Sequence, residues 1–395
     1  MQALILVFTI IYCIGIFFSI ALANIGHLGL IGLLLLKFYL DKNFRKKFLD
    51  FHTTHKLCIP IVYIVLVAFI FSFRGNISNG LTIFCKYVRM LSLLILIPTF
   101  IENPRLQKTF VYSFFISGAC YTLFKYLGYE SSPNIIHTSI YIACASLYFI
   151  IKALVIFPKK QWFLYSCGAF LFLFSLFCVN VEKTGIVATV AATVAATVAA
   201  KKSLSIFLRL SGILLIFSCI IFLSNRQNTL VWKRFTASKD GSSYSYRILM
   251  LKQATVLIKE HPIFGVGTGG YPKALAEHKF SHLNATGNKI NPHAHPHNEW
   301  VMFLVLWGVF GLVGLAGVFG YIIHYFLKQI QWNNFMCENN FYVGFALAVV
   351  VIYFVSGCCE AVFFMTLPQS AFCFWMALCF AGEYEQQHKK PTPGY

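Results

Sequence analysis

Charged residues are scarce in this sequence. Asp, Glu, Lys and Arg make up 11% of its 395 residues, whereas a soluble domain carries roughly a quarter. Hydrophobic residues account for 58% of the chain. This composition excludes an ordinary soluble globular protein and indicates a chain whose main solvent is lipid.

The sequence also lacks the cysteine spacing of a metal site or a disulfide framework. Its 13 cysteines are an odd number, none forms a C-x-x-C pair, and most lie inside apolar runs. In such runs cysteine behaves as a small hydrophobic side chain. The first apolar run has no basic stretch before it, as a secretory signal would, so we expect a retained membrane anchor.

Long apolar runs dominate the chain instead. A helix needs about 20 apolar residues to cross a bilayer, and we identify about twelve such runs, of which 25–40 is short enough to be a re-entrant segment. The sequence therefore predicts an all-α polytopic membrane protein. The runs lie near 3–22, 25–40, 57–73, 81–101, 109–127, 136–157, 162–180, 184–200, 204–223, 298–327, 341–357 and 361–381.

Positive charge orients these spans. With the N-terminus in the cytoplasm, the short inner loops hold about 14 Lys and Arg residues and the short outer loops about two, Arg74 and Lys183. We predict four regions: a membrane domain over 1–223, a large outer loop containing short helices over 224–296, a second membrane domain over 297–382, and a cytoplasmic tail over 383–395.

The large outer loop is basic, with ten Lys and Arg residues against three acidic ones. This charge is consistent with a solvated surface, with attraction to anionic headgroups, or with a site for a phosphate or pyrophosphate. Within the loop, "SSYSYRILMLKQATVLIKEHP" predicts a helix that starts near Ser242 and ends before Pro262. Arg247 shares an apolar stripe of that helix, so we expect its guanidinium to need a partner inside the protein or at the membrane.

A glycine-rich segment, "HPIFGVGTGGYP", follows the predicted helix. Its four glycines predict a tight turn with exposed backbone amides. The pattern G-x-G-x-G-G is present, but no strand precedes it, so a dinucleotide site is not indicated.

Three histidines, His293, His295 and His297, alternate in "NPHAHPHNEW" just before an apolar run. Alternation before a proline does not match a zinc-ligand spacing, so we predict no metal, although a structural or pH-sensing cluster stays open. Pro296 suits a first helical turn, which would place His297 at the positive end of a helix dipole. That position favours a neutral imidazole, the state that a general base requires.

Two further charged residues, Lys183 and Glu360, lie at the outer ends of spans. Glu360 has a second explanation: its carboxylate could simply extend to the membrane surface and have no part in a site. Lys183, Arg226, Arg247 and His297 would all face one compartment. Three cations and a base are suited to a transfer reaction with a phosphate leaving group.

These motifs resemble a known family. "HNEWVMFLVLWGVFG" has His297-Asn298, then nine residues, then Gly308 and a further glycine at 311, which resembles the signature of the O-antigen ligases. The segment from Arg247 to "HPIFGVG" resembles that family's arginine-bearing periplasmic helix and its H-P-x-x-G-x-G motif. "EKTG" resembles its basic motif at the start of a span, with Lys183 where arginine is commoner.

The resemblance implies a GT-C-like fold in the inner membrane of a Gram-negative bacterium, with the active site facing the periplasm. It implies transfer of a glycan from undecaprenyl pyrophosphate to a sugar hydroxyl of lipid A-core, with no cofactor, metal or nucleic acid. His297 would be the general base. The residues expected to bind substrate, chiefly the pyrophosphate, are Arg247, Lys183, Arg226, Asn298 and Glu360.

Other functions remain open at this stage. O-antigen polymerases and O-linked oligosaccharyltransferases share the donor, and the acceptor is not legible in the sequence. A polysaccharide-lipid transporter would also have about twelve spans. A transporter would be expected to show related halves and mid-membrane charges, whereas here the charged candidates lie on one face.

Overall fold

The described part of the chain is all-helical. The computed structural model describes residues 1–74, 77–127, 129, 135–156, 161–176, 186, 188–190, 192, 242–278, 295–330, 341–363 and 365–388, with no β-strand among them. The predicted all-α class is therefore confirmed. The α-helices in these ranges are α1 (Gln2–Phe18), α2 (Ile20–Leu40), α3 (Lys42–His55), α4 (Cys58–Ile70), α5 (Ile77–Val88), α6 (Ser92–Glu102), α7 (Pro104–Tyr126), α8 (Ile135–Ile156), α9 (Trp162–Phe174), α10 (Ser242–Glu260), α11 (Tyr271–Glu277), α12 (Glu299–Gln329), α13 (Phe341–Cys359) and α14 (Thr366–His388).

Several helices are long and apolar enough to cross a bilayer. Among the described residues four qualify, and a fifth is added if α3 and the segment from α4 to Phe73, bent by 93°, form one broken span. The protein is thus a multi-pass membrane protein, while twelve spans and a periplasmic loop remain predictions. The four helical segments are Ile20–Leu40, Ile77–Glu102, Glu299–Gln329 and Phe341–Cys359.

The first two helices form a tight hairpin whose corner is Ser19. Its extended backbone (φ −158°) ends α1, and its hydroxyl accepts a hydrogen bond from the backbone N–H of Leu22, capping α2. The hairpin is close because Gly15 has no side chain to separate it from the backbone of Ala23. The short run at 25–40 is consequently part of a full 21-residue helix rather than a re-entrant segment.

Helix α10 has the predicted bounds and an apolar stripe near the predicted one. It runs from Ser242 to Glu260, and Met250, Ala254 and Leu257 are buried, whereas the predicted stripe was Leu251, Ala254 and Ile258. Helix α10 packs against α12. Arg247 begins this stripe one turn before Met250, so the packing fixes where the guanidinium lies.

Helix α12 is broken at Gly308. The backbone of Gly308 has φ 58° and ψ −143°, a conformation open essentially to glycine alone, which divides the helix into 299–307 and 309–329. The second part has about the length that a bilayer requires. A continuous helix over the apolar run 298–327 would be about 45 Å long, more than the bilayer core. Because of the break, residues 299–307 form a separate segment instead.

The glycine-rich loop after α10 fills this break. Backbone N–H groups of Val266 and Gly267 donate to the carbonyls of Val305 and Leu306 at 2.8 and 2.9 Å, and Val309 donates to Pro262 at 3.1 Å. The loop thus replaces helical hydrogen bonds that Gly308 interrupts. A methyl group at Gly308 would lie 2.3 Å from the Ile263 carbonyl oxygen, so the approach requires glycine.

The expectation of exposed amides in this loop was wrong. Besides the two bonds to α12, the amides of Gly265 and Gly270 donate within the loop, and that of Thr268 donates to Phe71. Positive φ angles at three of its glycines turn the amides inward toward these carbonyls. The loop is therefore a backbone clamp between helices and does not present a row of amides to an anion.

A buried side-chain relay strengthens the clamp. The indole N–H of Trp307 donates to the Thr268 hydroxyl at 2.7 Å, and that hydroxyl donates to the Ala68 carbonyl at 2.9 Å. Both groups are buried, where leaving a polar atom without a partner is costly. The relay joins α4, the loop and the first segment of α12.

We expect Gly308→Ala to destabilise the protein, because the required backbone conformation costs about 1–3 kcal/mol for other residues and the added methyl group meets a backbone oxygen. Gly320→Ala in the same helix is the matched control, since a Cβ there meets nothing within 4 Å. Thermal unfolding of the purified protein in detergent checks this. Equal melting temperatures for the two variants would contradict the assigned role of Gly308.

Candidate functional site

His297 lies just outside α12 rather than in its first turn. The helix begins at Glu299, and Asn298 is its N-cap, with the side-chain oxygen accepting from the Val301 N–H at 3.0 Å. The predicted position of His297 inside the helix was therefore wrong by two residues. Asn298 can begin the helix because the first backbone N–H groups of a helix have no carbonyl partner within it. The oxygen of its short side chain accepts one of these hydrogen bonds instead.

The backbone of His297 is left-handed, with φ 51°. A side chain other than glycine adopts this region at a cost of roughly 1–2 kcal/mol, although histidine is among those that tolerate it. The His297 backbone N–H donates to Nδ1 of His295 at 3.3 Å, which helps to hold the turn. Such conformations concentrate where a side chain must be aimed.

The left-handed turn aims the His297 imidazole at Glu360. Its Nδ1 lies 2.8 and 2.9 Å from the two carboxylate oxygens of Glu360, which follows α13 directly. The Glu360 side chain is 1% exposed and that of His297 is 18% exposed. The pair is thus a buried carboxylate and a partly exposed imidazole.

This contact decides which ring nitrogen of His297 carries the proton. An ionised carboxylate only accepts hydrogen bonds, so Nδ1 carries the proton and donates it to Glu360. In the neutral ring the lone pair is then on Nε2. Nε2 is therefore the atom that can take a proton from another molecule, and the carboxylate can stabilise the imidazolium that forms.

Glu360 is held in its ionised form. Burial by itself raises the pKa of its carboxyl group, but the hydrogen bond from His297, the electrostatic attraction of the two imidazoles and the hydrogen bond from the Ala361 backbone N–H outweigh burial, and the net pKa lies below its usual value. A lowered carboxyl pKa means that the stabilising contact is present at neutral pH and is lost only as pH falls through that lowered value.

The side chains of Asn298, Arg247 and His297 each form a hydrogen bond with one of residues 358–360. The Asn298 amide donates to the Cys358 carbonyl at 2.9 Å, and Arg247 Nη1 donates to the Cys359 carbonyl at 3.2 Å. His297 contacts the next residue, Glu360. The imidazole and the guanidinium are thus brought to consecutive residues at the C-terminal end of α13, although they are far apart in the sequence.

Arg247 has a hydrogen-bond partner inside the protein, as expected for a guanidinium on an apolar stripe. Its side chain reaches a helix C-terminus, where the carbonyl groups carry partial negative charge and favour a cation. One bond to a carbonyl engages one of five guanidinium N–H donors. The expected partner of Arg247 inside the protein is thus present, while its role in binding substrate stays a prediction.

Glu299 completes the attachment of the 360–363 segment. Its Oε2 accepts from the Phe363 backbone N–H at 2.6 Å, and Glu299 is 1% exposed. Residues 297, 298 and 299 therefore each bind the segment that carries Glu360. Both ends of the Asn298 amide are engaged within the protein, so substrate binding by Asn298 stays a prediction.

His295 joins the same cluster. Ligand atoms of His295, His297 and Glu360 lie within 4.8 Å of one another, so these three residues could hold a metal ion. However, two ligands of one tetrahedral zinc ion lie roughly 3.4 Å apart for bonds of 2.0–2.2 Å, and His297 is nearer to Glu360 than that. The spacing is that of a hydrogen bond, which favours the histidine–carboxylate pair over chelation.

Other predicted site residues cannot be placed. Lys183, Arg226 and His293 lie outside the described residues. Sequence reasoning missed the contributions of His295 and Glu299 and treated Glu360 as a substrate ligand. A signal for Glu360 was present, since it is the one acidic residue in the apolar stretch from Phe341 to Ala381.

Comparison with known proteins supports the predicted family. No curated protein matches the chain. The family model Wzy_C, described as O-antigen ligase, matches residues 167–316, which include α10, the glycine-rich loop, His297 and Gly308. The predicted family is therefore confirmed, and the chain carries an O-antigen ligase family domain over residues 167–316.

Proposed function

We propose that this protein is a glycosyltransferase that moves O-antigen or a similar glycan from undecaprenyl pyrophosphate to a sugar hydroxyl of lipid A-core. The observation that carries the proposal is the contact between His297 Nδ1 and the buried Glu360 carboxylate. With the proton on Nδ1, the lone pair of the neutral ring is on Nε2, the nitrogen that a general base would use. The O-antigen ligase family match supports an enzyme of this broad type.

In the proposed reaction His297 activates the acceptor. The hydroxyl proton moves to Nε2 as the oxygen forms a bond to the anomeric carbon of the donor sugar. The bond from that carbon to the pyrophosphate breaks, and the leaving oxygen takes the electron pair. Glu360 is a positioning residue here, because it fixes the ring and stabilises the imidazolium without touching the substrate.

Arg247 is proposed to bind the departing pyrophosphate. Its planar guanidinium can bind two phosphate oxygens at once, and it already lies at the segment that holds His297. Stabilising charge as it develops on the leaving group would lower the barrier. Lys183 and Arg226 are proposed as additional cations from the sequence alone.

The proposed setting is the inner membrane of a Gram-negative bacterium, with the site open to the periplasm. The helices long enough to cross a bilayer and the excess of Lys and Arg in the predicted inner loops support this orientation. A lipid-linked donor and a lipid-anchored acceptor would both reach such a site by diffusing in the membrane.

The central test is the lipopolysaccharide profile of a strain that lacks this gene, complemented with variants. His297→Ala should give bare core with accumulated carrier-linked polymer, since loss of a general base costs about 10²–10⁴-fold in rate. His324→Ala, an exposed histidine of the same helix, is the matched control and should restore capped lipopolysaccharide.

The same gel separates the proposal from its closest alternative. Core bearing a single repeat unit in the deletion strain would indicate a polymerase and contradict the ligase assignment. Normal capping by the His297→Ala variant, at unchanged protein abundance, would remove His297 from the catalytic role.

A second prediction concerns Glu360. Glu360→Gln keeps an acceptor for Nδ1 but loses the charge that stabilises the imidazolium, so kcat should fall by roughly 10²-fold or more with little change in KM. Glu360→Ala should be at least as damaging. The exposed Glu277→Gln is the control. Transfer measured with purified enzyme, lipid-linked donor and core acceptor checks this; equal kcat for Glu360→Gln and Glu277→Gln would contradict the positioning role.

A third prediction concerns Arg247. Arg247→Ala should lower kcat/KM for the donor by roughly 10- to 100-fold, the range expected for hydrogen bonds to a charged group. Arg247→Lys should recover only part of this, because an ammonium cannot bind two oxygens in a fork. Lys252→Ala, an exposed cation on the same helix, should be without effect. The same purified transfer assay applies, and full activity of Arg247→Ala would exclude Arg247 from the site.

A fourth prediction concerns metal. Because His297 and Glu360 are at hydrogen-bond distance, we expect transfer to be unchanged after exhaustive chelation, with no stoichiometric metal in the purified protein. Elemental analysis and activity before and after chelation are the measurements. Loss of activity that is restored by one divalent metal would instead assign His295, His297 and Glu360 as its ligands.

A further inference from the structure

A groove between α2 and the segment from α5 to α6 is lined in part by polar residues that do not belong to the candidate site. The groove has a volume of about 570 Å³, and almost all of its walls are apolar. Its polar lining side chains are Arg89, His27 and Ser92. Neither Arg89 nor His27 has a part in the proposed transfer reaction.

His27 is the less expected of the two. It is 1% exposed, and neither of its ring nitrogens has a hydrogen-bond partner among the described residues. Burying a polar group without a partner costs free energy that a folded protein normally avoids. A buried imidazole that faces a groove without a protein partner therefore points to a ligand with a hydrogen-bonding group.

Arg89 adds positive charge at the same end of the groove. It lies between α5 and α6, and its Nη1 donates to Asn24 Oδ1 at 2.7 Å. A guanidinium has five N–H donors, so this bond uses only part of its capacity. Asn24 is on the second turn of α2, and the charge is thus near the Ser19 corner, the end predicted to face outward.

The groove continues from this polar end along α2. Ile31, Leu35 and Phe38 line it in turn, and the stretch from Asn24 to Phe38 is about 21 Å long at 1.5 Å per residue. This is somewhat more than one leaflet, which is about half of a 30 Å hydrocarbon core. Leu28 and Leu35 are each 56% exposed, so the groove borders the lipid-facing surface.

The volume limits the occupant. At about 30 Å³ for each water-sized group, the groove accommodates roughly 20 methylene-sized groups. That is enough for a single acyl chain but not for a long polyprenyl chain. The occupant that fits both the cation and the walls is an amphiphile with an anionic head and one chain in the groove.

We propose that this groove binds an anionic phospholipid, with its phosphate on Arg89 and His27 and one acyl chain along Ile31, Leu35 and Phe38. The phosphate would accept hydrogen bonds from the guanidinium and from a ring N–H of His27. The chain would cover the apolar wall that α2 presents. This proposal is independent of the proposed transferase function, since it concerns different residues and a different ligand.

Native mass spectrometry of the full chain in detergent tests the proposal. Phosphatidylglycerol should be retained more tightly than phosphatidylcholine with the same acyl chains. Arg89→Gln should weaken phosphatidylglycerol binding by about tenfold or more and leave phosphatidylcholine binding unchanged. The exposed Arg105→Gln is the matched control and should bind like the unaltered protein.

A second variant tests the apolar wall. Ile31→Trp should fill the groove and reduce retention of both phospholipids, whereas Ile59→Trp on the exposed side of α4 should not. If Arg89→Gln does not fold, Arg89→Lys should retain the lipid with an affinity between those of the unaltered protein and Ile31→Trp.

Three results would overturn the proposal. Equal retention of the two phospholipids by the unaltered protein would show that Arg89 does not select an anionic head. Unchanged retention in the Arg89 and Ile31 variants would place any bound lipid elsewhere. Preferential retention of undecaprenyl phosphate through Arg89 would assign the groove to the glycan donor instead.

Discussion

The candidate site depends on one constraint, which is that a buried carboxylate must be paired. Glu360 has almost no contact with solvent, and an isolated charge in such a place would be strongly unfavourable. The His297 imidazole supplies the pairing through Nδ1. Satisfying the carboxylate in this way also determines which nitrogen of His297 carries the proton, so one interaction stabilises the fold and sets the tautomer that the proposed base requires.

The break in α12 at Gly308 sets the direction of the segment that begins at Glu299, directly after His297 and Asn298. The glycine-rich loop replaces the interrupted hydrogen bonds, and the Trp307–Thr268 relay ties the break to α4. Residues 297–299 then bind the segment after α13 at several points, which explains why a histidine with a strained backbone can be held in place.

The two polar locations in the described structure have different character. At the candidate site each of the charged groups contacts protein, as expected for a preorganised reaction centre. In the groove along α2, by contrast, the His27 ring nitrogens have no partner among the described residues and the walls are apolar. We interpret the first as the place where the reaction occurs and the second as a contact with the surrounding lipid.

The sequence by itself determined the class of the protein, its family and the position of Arg247 on a helix stripe. Composition indicated a membrane protein, helical periodicity placed Arg247 on an apolar stripe, and the spacing from His297 to Gly308 indicated the family. These features are local, because residue type and short-range spacing carry them. The bounds of α10 were accurate for the same reason, since serine and proline mark both ends.

Only the tertiary structure decided which groups meet. The pairing of His297 with Glu360, 63 residues apart, depends on how α12 and α13 pack, and no local pattern encodes that distance. The glycine-rich loop was misread because its amides find acceptors in a helix break that sequence periodicity conceals. The groove beside α2 could not be predicted from the sequence for the same physical reason. Burial and missing hydrogen-bond partners arise only when helices pack together.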